Sequence, residues 1–471
     1  MFALIPHRCR VRRLAGQATS AALAVALSLV PSFAEAQERS RSRSIVRDAE
    51  TEQLLREYAA PIFKAAGINA SATKIILVND RSFNAFVANG QKIFVNVGAL
   101  MDAETPNEVI GVLAHETGHI AGGHLARLRQ QVSNAKILSV VGMLAGAAAV
   151  AGAASSGNSV GGGGTGAMGV FAGSQELVKR NLLAYQRSEE QAADLAAVRY
   201  LNATGQSPKG MLVTFQRFAD SGLFRSRSLD PYLLSHPLPT ERVSQLERLA
   251  QQSPHFGAKD SPELQARHDM MRAKLFGFVE RQDTVLRRYP LSNTSAPARY
   301  ARAVLAYRNG RLSEALSTID GLLAEQPNNP YFHELKGQAL LESGRAREAI
   351  GPLRKAASLA PSAAPIRTML GQAMVASGDT QLLDQAIREL SFATAREPES
   401  AEAFVHLAMA YGRKGNIGMA ELASAQAYLN SGDVKNAQTQ ASRAMAKLPK
   451  GSTHWLKAED ILNYRPSGST D

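Results

Sequence analysis

The chain has 471 residues, more than one ordinary domain contains, so about two or three domains are expected. Hydrophobic residues make up 45% of it and charged residues 20%, as in a typical globular protein. The formal charge of +12 favours acidic partners such as anionic lipid, but no nucleic-acid motif accompanies it, so nucleic-acid binding is not expected. The only cysteine, Cys9, lies near the N-terminus, which excludes disulfides and cysteine metal ligands from the rest of the chain.

The first 36 residues have the pattern of a secretory signal peptide. Residues 8–13 hold four arginines, residues 14–33 are largely apolar, and residues 34–36 place small side chains where signal peptidase reads the chain. We therefore predict export and cleavage, with a retained N-terminal anchor as the alternative. Residues 37–47 are mostly polar and rich in arginine and serine, and we predict a flexible leader there.

Residues 48–255 are predicted to form one α+β domain that is mainly helical. It begins with a helix over residues 48–66, for which the aspartate at its start is a suitable cap. Short β-branched runs at residues 74–78 and 92–97 predict strands, and an Asn-Gly pair before the second run is a turn signal. Residues 82–97 are therefore expected to form a small β-hairpin.

A helix with strong end signals follows the hairpin. Thr105 can cap this helix, Pro106 suits its first position, and Glu108 completes a capping box. The Gly122-Gly123 pair is predicted to end it.

That helix carries the motif His115-Glu116-Thr117-Gly118-His119. Residues four apart lie one turn above each other on a helix, so the two histidines can bind one Zn²⁺ together. Glu116 is rotated to a flank of the same site, where it can act as a general base on a water that the zinc has acidified. The alternative is a pair of ordinary surface histidines.

A zinc site needs a third protein ligand, and residues 187–194 offer one. Glu190 and Asp194 are four residues apart and share a helix face. We expect Glu190 to bind the metal and Asp194 to accept a hydrogen bond from a ligand histidine. Glu189 is the competing candidate but lacks the four-residue relation to Asp194, and His124 has the wrong spacing for a further ligand.

The combination of His115-Glu116-x-x-His119 with Arg187-x-x-Glu190-x-x-Ala193-Asp194 resembles the zinc endopeptidases related to the CAAX prenyl protease, over about residues 45–250. The resemblance implies a zincin-like fold and one Zn²⁺ per subunit, with His115, His119 and Glu190 as ligands and Glu116 as the catalytic residue. The stretch Asn84-Ala85-Phe86 is similar to a family segment beside the active site, whose strand edge would bind an extended substrate backbone. The chain lacks the several membrane spans of many family members, so processing of prenylated proteins inside a membrane is not expected.

His236 precedes Pro237 in a further stretch that resembles the family. This histidine can occupy the open position of the metal or stabilise the developing oxyanion. It can equally be a histidine that only packs against its loop. Arg242 is a candidate for holding the loop or assisting in the site.

Residues 131–181 are predicted to form an apolar loop rich in glycine and alanine. Residues 137–173 carry no charge, and residues 137–154 are just long enough for a membrane span. Because they are mostly alanine and glycine, we interpret them as a helix or loop that covers the active site or contacts a membrane surface.

The sequence becomes repetitive from about residue 298. Gly310, Gly344 and Gly378 are spaced by 34 residues, and so are Pro327 and Pro361. This period is typical of tetratricopeptide repeats, so residues 298–465 are predicted to form a C-terminal α-solenoid of about three and a half repeats with an irregular last hairpin. Such a stack usually presents a groove for a peptide or partner protein. Residues 256–297 are predicted to be a helical linker.

The resemblance, the signal peptide and the repeats together imply a periplasmic zinc endopeptidase of a Gram-negative bacterium. Its substrates would be polypeptides, in particular misassembled envelope or outer-membrane proteins, and its repeats would dock on the outer-membrane assembly machinery. The alternative is a scaffold or chaperone that assists outer-membrane protein assembly with little proteolysis.

Overall fold

The computed structural model describes residues 45–88, 90–134, 184–220, 236 and 240–466. The predicted signal peptide, most of the predicted leader, Asn89 of the predicted turn and the uncharged residues 137–173 lie outside this part of the chain. No helix among the described residues is both long and apolar enough to cross a membrane.

The first helix, α1, spans Ala49–Ala66, as predicted. The carboxylate of Asp48 accepts a hydrogen bond from the backbone N–H of Thr51, and Gly67, with a φ of 68°, ends the helix. The buried face of α1 packs against the sheet and against the helix that carries the His-Glu-x-x-His motif.

Four strands form one sheet in the order β1-β2-β4-β3: β1 is Ile45–Val46, β2 is Lys74–Val78, β3 is Ala85–Ala88 and β4 is Lys92–Asn96. Strands β3 and β4 form the predicted antiparallel hairpin. Strand β2 pairs with β4 in parallel, with Lys74 opposite Lys92. Strand β3 is therefore an edge strand of the sheet that the structure describes.

The predicted leader ends earlier than expected. Ile45 and Val46 pair antiparallel with β2, and Arg47 forms ion pairs with Glu52 at 2.7 Å and with Glu397 at 2.5 Å. The prediction of a flexible segment is wrong for residues 45–47, because strand pairing and these ion pairs hold them.

A short helix, α2 (Val97–Asp102), follows β4 directly, and α3 (Pro106–Gly122) begins at the predicted capping box. The Thr105 side chain accepts a hydrogen bond from the N–H of Glu108, whose carboxylate accepts one from the N–H of Thr105. Gly123, with a φ of 66°, ends α3 where the sequence predicted.

Four further helices complete the first domain among the described residues. They are α4 (residues 124–134), α5 (residues 184–203), α6 (Lys209–Asp220) and α7 (Thr240–Gln251). The predicted start of α5 near Gln175 lies outside the part of the chain that the structure describes.

Helix α3 lies in the middle of this domain, in close contact with α5 and α6. A Cβ on Gly111 would lie 2.8 Å from the Cβ of Met211 on α6, and a Cβ on Gly118 would lie 2.9 Å from the carbonyl oxygen of Ala193 on α5. The absence of a side chain at these two positions allows the backbones to approach. The motif on α3 therefore lies directly against residues 187–194.

Helices α8 (Pro262–Val279) and α9 (Gln282–Arg288) occupy the predicted linker. The linker is helical, as predicted, but it is not a spacer. Helix α8 contributes Met271 and Leu275 to the core of the first domain and Met270 to the core of the first repeat. Because one helix belongs to both cores, the repeats pack directly on the first domain.

The C-terminal part consists of helical hairpins, as the period of 34 residues predicts. Its helices are α10 (Ala296–Arg308), α11 (Leu312–Glu325), α12 (Pro330–Glu342), α13 (Ala346–Leu359), α14 (Ala364–Ala376), α15 (Leu383–Arg396), α16 (Ala401–Arg413), α17 (Ile417–Asn430), α18 (Val434–Met445) and α19 (Thr453–Leu462). Gly310, Gly344 and Gly378 have positive φ and separate the two helices of successive hairpins. Pro327 and Pro361 follow the second helices, where a helix cannot continue.

Candidate metal centre

Helix α3 presents His115, Glu116 and His119 to the interior of the first domain. His115 and Glu116 are fully buried, and the side chain of His119 is only 12% exposed. The two histidines are four residues apart, so their rings lie on one face of the helix, and their Nε2 atoms are 3.1 Å apart.

Helix α5 brings Glu190 to the two histidines. Glu190 Oε2 lies 3.4 Å from His115 Nε2, and Oε1 lies 3.3 Å from His119 Nε2. The close approach of α5 to Gly118 makes these distances possible.

His236 reaches the same cluster from a segment far away in sequence. Its Nδ1 lies 3.4 Å from His115 Nε2 and 3.2 Å from both carboxylate oxygens of Glu190. Its Nε2 lies 3.1 Å from the carbonyl oxygen of Ala85, which can only accept a hydrogen bond. Nε2 must therefore carry a proton, and in the neutral ring the lone pair of Nδ1 points into the cluster.

Five of the six pairs among these four side chains have the spacing of ligands around a single zinc ion, and all the candidate ligand atoms lie within 4.8 Å of one another. Zinc binds nitrogen and oxygen at about 2.0–2.1 Å in tetrahedral geometry, which sets neighbouring ligand atoms about 3.3–3.4 Å apart. The contacts given above for His115, His119, Glu190 and His236 measure 3.1–3.4 Å. Among the described residues, these four are the group of side chains that could hold a metal ion together.

The charge of the site also fits a divalent cation. Among the described residues, the buried carboxylates of Glu116, Glu190 and Asp194 face one guanidinium, that of Arg242, so this group keeps two negative charges when the histidines are neutral. Uncompensated charge in a protein interior costs roughly several kcal/mol, and the two positive charges of a divalent cation would neutralise these two negative charges.

Asp194 and Arg242 hold the cluster from behind. Asp194 Oδ1 lies 2.9 Å from His115 Nδ1. Arg242 donates to both oxygens of Asp194, at 2.5 and 2.8 Å, and pairs with Glu190 at 2.7 Å. Burial acts to raise the pKa of Glu190 and of Asp194, but the histidines and Arg242 outweigh it and keep both pKa values below their usual range. Both groups therefore remain carboxylates at neutral pH.

The two histidines of α3, His115 and His119, differ in pKa. Burial acts to lower the pKa of His115, but hydrogen bonds with Asp194 and Glu190 outweigh it and raise the pKa to about 9. Burial lowers the pKa of His119 to about 3. A histidine must be neutral to bind a metal, so metal binding would release the proton that His115 holds.

Glu116 lies beside the four side chains without a hydrogen-bond partner for either carboxylate oxygen among the described residues. Its Oε1 is 3.4 Å from His236 Nε2. Burial raises the pKa of Glu116, although the neighbouring His236 and His115 act in the opposite direction. A buried carboxylate with available acceptor atoms is suited to take a proton from a water at the cation.

Edge strand β3 passes next to the cluster. The Asn84 carbonyl accepts a hydrogen bond from the N–H of Asn96 at 2.9 Å, so in the antiparallel ladder Ala85 turns its backbone groups away from β4. The outward Ala85 carbonyl is the one that contacts His236. Of the predicted substrate-binding residues, Ala85 borders the site, whereas Asn84 is buried and Phe86 stacks on Phe94 with ring centroids 5.2 Å apart.

His124, whose spacing in the sequence did not favour it as a ligand, contacts the cluster, and Glu189 contacts His124. His124 Nδ1 lies 2.9 Å from His119 Nδ1, and His124 Nε2 lies 2.8 Å from Glu189 Oε2. The available sequence signal was the Gly122-Gly123 pair, which ends α3 and turns the chain back so that His124 faces the motif.

Residues 47–250 match the model of Peptidase family M48, and residues 300–364 match a tetratricopeptide-repeat model. The chain contains an M48 peptidase domain. The predicted family resemblance, the mainly helical α+β fold with C-terminal repeats and the assignment as a peptidase are thereby confirmed. All the residues of the cluster lie within the M48 domain.

The chain is similar to two curated beta-barrel assembly-enhancing proteases. It is 26% identical to that of Yersinia pestis over 408 residues, which are 85% of this chain and 81% of the relative. It is 23% identical to that of Escherichia coli K12 over 383 residues, which are 80% of this chain and 75% of the relative. Among solved structures, a tetratricopeptide-repeat protein with an unusual peptide-binding site is 20% identical, covering 37% of this chain and 91% of that chain, with a TM-score of 0.31.

Proposed function

We propose that this protein is a periplasmic zinc endopeptidase in which His115, His119 and Glu190 bind zinc and Glu116 is the catalytic residue. The observation that carries the proposal is the set of 3.1–3.4 Å contacts among the candidate ligand atoms. A buried carboxylate with two available oxygens lies beside them.

Zinc, when bound, supplies a positive charge that acidifies a water molecule and polarises the scissile carbonyl. One carboxylate oxygen of Glu116 takes a proton from the attacking water and then gives it to the nitrogen of the leaving amine. The water oxygen bonds to the carbonyl carbon and the C–N bond breaks, so the same proton ends on the new amine. Asp194 and Arg242 keep His115 and Glu190 in position throughout.

Strand β3 is proposed to bind the substrate as an additional strand. Ala85 and Val87 point their backbone groups away from β4, and Ala85 borders the cluster. An extended peptide that pairs with these groups would have its backbone beside Glu116.

We propose that His236 occupies the fourth position of the metal, rather than stabilising the oxyanion or only packing against its loop. Its Nδ1 has ligand spacing, and its Nε2 occupies the Ala85 carbonyl. A water at the metal needs the fourth position, and a substrate strand on β3 needs the Ala85 carbonyl, but His236 occupies both. His236 must therefore move before hydrolysis, so the arrangement described here is a self-inhibited one.

The substrates proposed for the enzyme are misassembled envelope proteins, in particular outer-membrane β-barrels. The names of the relatives support this class, and the predicted signal peptide supports a periplasmic location. The repeats are proposed to dock on the assembly machinery. In the alternative, the protein is a scaffold whose peptidase site contributes little.

The decisive experiment compares the purified wild-type protein with Glu116→Gln. We expect one zinc per chain in both, by elemental analysis, and a loss of casein cleavage of about 10²–10⁴-fold in the variant. Equal cleavage by the two proteins would show that Glu116 is not the catalytic residue. Purified wild-type protein without zinc would contradict the proposed metal site. If neither protein cleaves casein and His236→Ala is also inactive, the scaffold alternative is favoured.

A further inference from the structure

Each of the two α3 histidines has its second ring nitrogen next to another side chain. His115 Nδ1 faces Asp194, which Arg242 holds. His119 Nδ1 faces His124 at 2.9 Å. The other nitrogen of His124 lies 2.8 Å from Glu189, and Arg127 donates to the same Glu189 oxygen at 2.7 Å. Both lines of contacts end in a carboxylate held by an arginine.

We infer that His124 and Glu189 form a hydrogen-bond relay that positions His119 for metal binding. This inference rests on the proposed zinc site and adds two positioning residues to it. A ligand histidine usually donates its second N–H to an acceptor, and that contact fixes the tautomer and the ring orientation.

The donors and acceptors of the relay follow from its chemistry. His119 Nε2 faces His115 and Glu190, so it is the nitrogen that would bind the metal, and Nδ1 then carries the proton. His119 Nδ1 donates to His124 Nδ1, which must be an acceptor. His124 Nε2 therefore carries a proton and donates to Glu189, whose carboxylate accepts. A neutral His124 with its proton on Nε2 satisfies every contact.

The backbone before His124 is built to keep its ring in this place. Gly123 adopts a left-handed conformation, with a φ of 66°, and turns the chain at the end of α3. A Cβ on Gly122 would lie 2.1 Å from His124 Nε2 and 2.4 Å from its Cδ2. The His124 ring therefore covers the Gly122 Cα, and any larger residue at this position must displace the ring.

Glu189 and Glu190 are neighbours on α5, but their side chains point in different directions. Successive residues on a helix point about 100° apart, so Glu190 faces the metal site while Glu189 faces α4. There Glu189 meets both His124 and Arg127. Arg127 is half exposed, so its charge is screened, and its main role is to orient the Glu189 carboxylate.

The test measures the zinc affinity of the full chain by competition with a chelator, for matched variants of His124. His124→Leu has no acceptor for His119, and we expect about 10–100-fold weaker zinc binding. His124→Gln has an amide oxygen that can accept from His119 and an amide N–H that can donate to Glu189, so it should retain much of the affinity. Gly122→Ala keeps the histidine but displaces its ring, and it should resemble His124→Leu. His454→Leu, at an exposed histidine, is the control.

A second measurement separates positioning from general stability. The visible spectrum of the Co²⁺-substituted protein should shift in His124→Leu and Gly122→Ala and stay near wild type in His124→Gln. The relay is overturned if His124→Leu and Gly122→Ala bind zinc as tightly as wild type. It is also overturned if His124→Gln loses as much zinc affinity as His124→Leu while the two metal-free variants have the same melting temperature. Should His124→Leu not fold, Gly122→Ala and His124→Gln still decide. Wild-type protein that binds no zinc at all would instead overturn the proposed metal site itself.

Discussion

Lys274 Nζ lies 3.3 Å from Glu334 Oε2, and this buried pair connects α8, which both cores share, to α12 of the repeats. Asp48 and Glu50 approach the same ammonium group at 2.5 and 3.6 Å, and the Tyr300 hydroxyl donates to Glu50. Three carboxylates therefore surround one positive charge at the boundary between the M48 domain and the repeats. The excess of negative charge makes this boundary sensitive to protonation.

Stability should fall as the pH rises from about 5 to about 8. Burial raises the pKa of Glu50 and of Glu334 from 4.5 to about 7, although Lys274 acts against it. Between these pH values the folded protein binds more protons than the unfolded chain. The stabilisation by the neutral carboxyls is therefore fully present below 4.5 and lost as the pH passes 7. We expect a decrease on the order of 2 kcal/mol in the free energy of unfolding, measured in urea.

Glu334→Gln imitates the protonated carboxyl and provides the control for this effect. The variant should be more stable than wild type at about pH 8 and should show a weaker pH dependence. Lys274→Met should instead be less stable than wild type by about 3–5 kcal/mol in the free energy of unfolding, because three carboxylates then share one buried site without the Lys274 ammonium group. An unchanged pH dependence in Glu334→Gln would contradict the role of this cluster.

The sequence predicted the parts of the structure that short-range signals define. The capping box at Thr105 and the break at Gly123 act within one helix, and the spacing of Gly310 from Gly344 is the length of one repeated hairpin, so all three are readable from short stretches of sequence. The spacing of four residues also placed His115 and His119 on one face. These features need no knowledge of how distant segments meet.

The parts that were missed or left open depend on contacts between distant segments. The sequence left the role of His236 open, because His236 is 121 residues from His115 and no periodic pattern aims it at the motif. The pairing of β2 with β4 and the cluster around Lys274 likewise join segments whose approach is set by packing of the whole domain. Sequence spacing does not determine such contacts, because many chain paths satisfy the same local signals.

Gly118→Ala should separate α3 from α5. The new Cβ would lie 2.9 Å from the Ala193 carbonyl oxygen and 3.0 Å from its Cα, which is closer than atoms pack. We expect a loss of about 1–3 kcal/mol in urea unfolding, together with weaker zinc binding, because the two helices carry three of the four proposed protein ligands. Gly321→Ala is the matched control: it is helical with no atom within 4 Å of a new Cβ, and it should stabilise the protein by about 0.5–1 kcal/mol. Zinc binding unaffected by Gly118→Ala would argue against the importance of this helix contact.

Val87→Pro should weaken substrate binding without disturbing the hairpin. The N–H of Val87 faces away from β4, so its removal costs no hydrogen bond of the described sheet, and proline is tolerated at such positions of edge strands. The proposed substrate strand would lose one backbone hydrogen bond of about 0.5–1.5 kcal/mol, which lowers kcat/KM roughly 2–10-fold. Val87→Ala keeps the N–H and should cleave peptides at nearly the wild-type rate. Equal kcat/KM for both variants would mean that the substrate does not pair with this part of β3.

His236→Ala should increase peptide hydrolysis. The variant keeps three proposed zinc ligands and vacates both the fourth position and the Ala85 carbonyl, so the fraction of molecules that can bind a water and a substrate strand rises. We expect an increase of about tenfold in kcat/KM, which corresponds to roughly 1.4 kcal/mol of stabilisation of the inhibited form by this histidine. The zinc content should stay at one per chain, and His454→Ala should leave hydrolysis unchanged. A fall of about 10²–10³-fold would point the other way, because the loss of an oxyanion donor has that magnitude, and His236 would then be a catalytic group that acts on the substrate carbonyl.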